Sequence, residues 1–118
     1  MWLVDTSVWI DHFRSDSSDL RRLLEDGMVV THEFVIGELA CGRLKDREAV
    51  LGFFESLPRV ALVSHSEFLH FVGAHQLEGT GLNFVDIHLL ASSRLTEGVQ
   101  IWTRDERLSR AAGDFPVH

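Results

Sequence analysis

This sequence predicts an α/β domain built on a mainly parallel central sheet, on three observations. Short apolar runs alternate with longer stretches of helical periodicity, turn or stop residues separate them, and two of the runs end in an aspartate. Residues 2–4 form the first run and lead into Asp5-Thr6-Ser7, a buried strand followed by a helix N-cap, so the acid stands at a strand's carboxyl end. Ser17 or Ser18 caps a helix carrying Leu20, Leu23 and Leu24 and stopped by Gly27, and residues 28–31 read as the second strand. Helical patterns over residues 33–42 and 46–57 precede Pro58 and a predicted third strand at 60–63. Residues 66–78 carry Leu69, Val72 and Leu77 among histidines, the glycines of 79–81 break that pattern, and a helix follows from 84 to 96 with Gly98 as its stop. Residues 99–103 read as a fourth strand ending at Arg104-Asp105; a last amphipathic helix carries Leu108, Ala111 and Ala112 ahead of an apolar tail at 115–117. Strands separated by helices pair in parallel, because the crossover returns each strand in the same direction.

A chain of 118 residues, 45% hydrophobic, buries one core, which predicts a single domain spanning 1–118. The lone Cys41 excludes an internal disulfide, suits a reducing compartment, and is expected to pack as a small core residue. No apolar run reaches the roughly 18 residues of a membrane span, and the amino terminus lacks the basic stretch of a signal peptide, so the expected location is cytoplasmic, with no membrane partner. The net charge of −7, taken as a sum, argues against a nucleic-acid partner. Distribution qualifies that: ten of the eleven basic residues are arginines, clustered at Arg21-Arg22, Arg43-Leu44-Lys45-Asp46-Arg47, and Arg104, Arg107 and Arg110. Each cluster reads first as a solvated helix face paired with nearby acids, although arginine also suits phosphate.

Four acidic residues stand in or beside apolar stretches: Asp5, Glu38, Asp86 and Asp105. An ionised carboxylate out of water costs several kcal/mol unless compensated, and no Lys or Arg lies within three residues of Asp5, Glu38 or Asp86. Asp5 and Asp105 occupy the carboxyl ends of the first and fourth predicted strands, where parallel sheets place their functional crevice. Glu38 follows the second strand by about two helical turns, beside Gly37, which would permit close backbone approach. Asp86 opens its helix next to the stripe Ile87, Leu90 and Ala91 that should face the sheet. Clustered carboxylates without a Cys or His pattern suit Mg²⁺ or Mn²⁺ over zinc, and such ions activate water against phosphodiesters. Thr6, Ser7 and Thr103 flank the acids and would orient ligands or the water through their hydroxyls.

Val4-Asp5-Thr6-Ser7-Val8-Trp9-Ile10, Val35-Ile36-Gly37-Glu38-Leu39-Ala40-Cys41-Gly42, Asp86-Ile87-His88-Leu89-Leu90-Ala91 and Thr103-Arg104-Asp105, taken in order across nearly the whole chain, resemble the four motifs of PIN-domain ribonucleases, specifically the VapC-type toxins of toxin–antitoxin pairs. The resemblance implies a PIN fold and a Mg²⁺- or Mn²⁺-dependent endoribonuclease, often a homodimer, cutting tRNA, rRNA or mRNA and held inactive by a cognate antitoxin. It carries the family's acids onto Asp5, Glu38, Asp86 and Asp105 and its hydroxyl positions onto Thr6 or Ser7 and Thr103. Leu108 stands where many relatives have an aromatic residue.

Blander readings accompany each feature. Asp5 and Asp105 each suit an N-cap, and Asp86 suits the first turn of a helix; Glu38 has no such explanation. His65, His70, His75 and His88 lack metal-ligand spacing and read as surface or half-buried residues, His12 is a weak candidate for the groove, and Trp9, Phe13 and Phe34 read as core. A receiver-like signalling domain would want adjacent acids near the first strand and a lysine near the last, whereas the only lysine is Lys45. A catalytically silent RNA- or protein-binding module on the same fold is the alternative function, and it has no need of all four acids.

Overall fold

Three short parallel strands organise the computed structural model, which describes residues 1–113. The elements run β1 (Trp2–Val4), α1 (Thr6–Ser15), α2 (Ser18–Glu25), β2 (Val29–Val30), α3 (Glu33–Cys41), α4 (Arg47–Ser56), α5 (His65–Ala74), α6 (Phe84–Leu95), β3 (Gln100–Trp102) and α7 (Glu106–Gly113). The sheet order is β2-β1-β3, with Leu3 opposite Val30 and Ile101, and Val4 opposite Trp102. Helices cover both faces, so the central strand is apolar throughout and Leu3 and Val4 are wholly buried. They join a core with Val8, Leu20, Val35, Leu89, Leu90, Val99 and Leu108. The Ile87, Leu90 and Ala91 stripe of α6 is buried as its spacing predicts, and so are His88 and Leu89 between them.

Local chemistry sets most boundaries. The Ser17 hydroxyl accepts from the Leu20 N–H and caps α2, and Gly27, at φ +67°, ends the helix through Met28 N–H to Leu23 O and Gly27 N–H to Leu24 O. Ser64 with Glu67, and Asn83 with Asp86, form reciprocal capping boxes at the starts of α5 and α6.

The structure departs from expectation in four places. The predicted third strand at 60–63 contracts to a single parallel bridge, Thr31 with Arg59, held by Thr31 N–H to Pro58 O and Val60 N–H to Thr31 O. Strand β2 is only two residues long, so although Val60 is buried and Val63 packs against the core, the run finds no strand to continue the ladder with, and Ala61 and Leu62 are exposed. Helix α5 ends at Ala74, short of residue 78, because Gln76 takes the left-handed conformation at φ +53°, and Leu77 N–H to Val72 O with Gln76 N–H to Gly73 O closes a Schellman turn. Cys41 is exposed at the end of α3 and contributes nothing to the core. Gly37 faces open space, so no neighbouring backbone requires a glycine there. The tail at 115–117 lies outside the described residues.

Candidate active site at the carboxyl ends of the strands

Strands β1 and β3 end side by side, and the residues following them interlock. Asp5 N–H donates to Trp102 O at 2.9 Å, extending the ladder by one step past β1. Asp5 occupies the N-cap position of α1, yet its side chain caps nothing. Instead its Oδ2 accepts from Thr103 Oγ1 at 2.7 Å and from Ser7 Oγ at 3.0 Å. The same hydroxyls accept in turn, Thr103 from Asp105 N–H and Ser7 from Arg104 N–H, each at 3.0 Å. Two hydroxyls thus meet one carboxylate oxygen, which fixes the orientation of a side chain of which only 6% is exposed.

The other three acids come from separate elements. Asp105 precedes α7 and caps it, its Oδ1 accepting from Leu108 N–H at 3.0 Å. Glu38 projects from α3 and accepts from Thr6 Oγ1 at 2.7 Å, a contact spanning 32 residues. Asp86 stands in the first turn of α6 and accepts from Asn83 N–H at 3.1 Å. Burial is the main cause raising the Asp86 carboxyl above the ordinary aspartate range; the Asn83 N–H opposes it, and the negative charges of Asp5, Asp105 and Glu38 add to the rise. All four sequence-predicted acids therefore share one electrostatic field. Among the described residues, none of them forms an ion pair with Lys, Arg or His.

Unrelieved negative potential and an all-oxygen donor set fit a hard divalent cation. As placed, no three of the described His, Cys, Asp and Glu side chains form a ready metal-binding group. The reason lies in local partners: Glu38 is turned onto Thr6, and Asp86 onto the backbone of Asn83.

Beside Glu38 opens a cleft of about 570 Å³, floored by Ile10, Phe13 and Leu39 and edged by Arg14, Arg43 and Lys45. These three cations make no ion pair among the described residues. Other clusters follow the bland reading: Arg21 pairs with Asp16, and Arg104 pairs with Asp11 at 3.1 Å while lying 5.8 Å from the centre of the Trp102 ring. His12 does not reach the acids; its Nδ1 accepts from Ser17 N–H and steadies the α1–α2 connection. Trp9 is core, whereas Phe13 is 43% exposed and Phe34 half-buried.

The histidines divide differently from expectation. His65, His70 and His75 are exposed, but His88 is buried, its ring stacked 4.3 Å from that of Phe68, because α6 is enclosed on more than one side. His32 is wholly buried and caps α3, a role the sequence signals only by its place just before an apolar helix.

The PIN-domain family matches residues 2–114. Ribonuclease VapC32 of Mycobacterium tuberculosis strain CDC 1551 / Oshkosh is 45% identical over 117 residues, covering 99% of this chain and 94% of that protein. Ribonuclease VapC32 of strain ATCC 25618 / H37Rv matches to the same extent. A match over almost the full length, on a parallel α/β sheet with acids at its strand ends, makes this chain a member of the PIN-domain family of the VapC type.

Proposed function

We propose that this protein is an endoribonuclease toxin that hydrolyses RNA phosphodiester bonds with Mg²⁺ or Mn²⁺ and is restrained by a cognate antitoxin. The observation that carries the reading is that the charges of Asp5, Glu38 and Asp105 all act on Asp86, while among the described residues none of the four is paired with Lys, Arg or His. These four residues would hold the metal, which when bound polarises phosphate oxygens and lowers the pKa of a water. Thr103 and Ser7 fix the Asp5 carboxylate at the end of β1. Glu38 and Asp86 are engaged by Thr6 Oγ1 and Asn83 N–H, hydrogen bonds that a bound metal would share or replace. Arg14, Arg43 and Lys45 supply phosphate contacts along the cleft, which accounts for RNA binding by a chain of net charge −7. The whole of residues 1–118 acts as one PIN domain, homodimeric and cytoplasmic; among the described residues no helix is long and apolar enough to cross a membrane.

The test is to incubate the purified protein, freed of any partner, with total cellular RNA and Mg²⁺ or Mn²⁺ and to map new 5′ ends. Discrete cuts that disappear in EDTA and in Asp5→Asn are expected. Cuts that persist in both would remove the four acids from the reaction.

A further inference from the structure

His32 performs two jobs with one ring. Its Nδ1 accepts from Phe34 N–H at 2.9 Å, which caps α3. A neutral imidazole with its Nδ1 lone pair so engaged carries its proton on Nε2, and Nε2 lies 3.1 Å from Ser92 Oγ on α6, 60 residues away in sequence. The usual N-cap side chains, Ser, Thr, Asn and Asp, are too short to cap one helix and reach another. Both ends of the contact are wholly buried, so water does not compete for it.

The two helices joined in this way carry two of the four acids. Glu38 lies six positions beyond His32 along α3, and Asp86 six positions before Ser92 along α6, each about 9 Å along its helix axis. A helix over that distance is stiff, so the spacing at the bridge sets the spacing at the carboxylates.

We propose that His32 is a positioning residue that, through Ser92, fixes the separation of Glu38 and Asp86 for joint use at the active site. This rests on the ribonuclease reading above. Supporting features are the enclosure of the ring by Phe34 at 5.1 Å and His88 at 6.3 Å and the neutrality of His32, whose pKa burial and then the neighbouring His88 lower to about 4. A ring that stays neutral through the physiological range keeps its acceptor for α3 and its donor for α6.

His32→Asn separates the two jobs, because asparagine still caps but cannot reach Ser92; Ser92→Ala removes the bridge from the other side. We expect each variant of the full chain to bind Mn²⁺ about tenfold more weakly by calorimetry, the scale of loss seen when outer-shell partners of a metal site are removed. RNA cleavage should show a lower kcat with KM unchanged. The double variant should be no worse than the weaker single one, since both act on one contact. Wild-type Mn²⁺ affinity and kcat in both single variants, or losses that add in the double, would overturn the proposal while leaving the ribonuclease reading intact. A wild-type protein that neither binds Mn²⁺ nor cuts RNA would overturn both. If His32→Asn does not fold, Ser92→Ala carries the test, because it deletes only one buried oxygen.

Discussion

Single residues at this site carry opposing demands of stability and chemistry. Asp86 is the clearest case: burial and three negative neighbours raise its carboxyl above the ordinary range, so at neutral pH its ionised form strains the metal-free fold. Asp86→Asn keeps an acceptor for the Asn83 N–H and removes the repulsion. Thermal melts in EDTA should show Asp86→Asn melting a few degrees above wild type, while RNA cleavage assayed in parallel is lost. A melting point that falls would mean the carboxylate serves the fold. His32 shows the complementary behaviour. Its folded-state pKa, about 4, lies below the usual 6.5, so the unfolded chain binds the extra proton between those values. The resulting stabilisation, about 3 kcal/mol, is complete above pH 6.5 and is lost as pH falls toward 4. Denaturant melts across that window should show a steeper loss in wild type than in His32→Asn, with the buried His88 supplying part of what slope remains.

At the scale of elements, local signals and tertiary ones part company. Caps were legible in part: Ser17, Gly27 and Asp105 act where their residue types place them, whereas the Asn83 cap of α6 emerges only in the structure. Helix α5 was not, because its end depends on Gln76 accepting a left-handed backbone that the sequence does not advertise. A glycine there would adopt that conformation without strain, so Gln76→Gly should stabilise the protein by about 0.5–1 kcal/mol, read as a shift in the midpoint of urea unfolding. No shift, or a loss, would mean the Gln76 side chain contributes more than its backbone costs. The absent strand at 60–63 teaches the same lesson from the other side. Its β-branched and apolar residues have strand propensity, but propensity needs a partner, and β2 ends at Val30, leaving Thr31 just past it to make a single bridge with Arg59.

For the molecule as a whole, net charge and local charge disagree, and the cleft shows where. The chain carries −7 overall, yet Arg14, Arg43 and Lys45 line one cleft with Glu38, unpaired among the described residues. Replacing Arg43 and Lys45 by alanine should raise KM for RNA and flatten the salt dependence of binding by about 0.7 per lost contact on a logarithmic plot, with kcat little changed. An unaltered slope would move the RNA path elsewhere on the surface.

What the sequence determined by itself is the order of the helices and of three of the four expected strands, and where the four acids fall among them. Each of those depends on neighbours a few residues away: an apolar run before Asp5 and Asp105, the stripe Ile87, Leu90 and Ala91 after Asp86, and an apolar helix around a Glu38 that nothing local explains. Only the tertiary structure decided that Thr103 and Ser7 would share one oxygen of Asp5, that His32 would reach Ser92, that His88 would be enclosed, and that Cys41 and Gly37 would face solvent. Two of those outcomes, Thr103 on Asp5 and His32 on Ser92, are contacts 98 and 60 residues apart, and the others turn on which face of a helix meets a neighbour. Residue type and periodicity do not encode them, because the register of β1 against β3 and the packing of α3 beside α6 exist only once the chain has closed on itself.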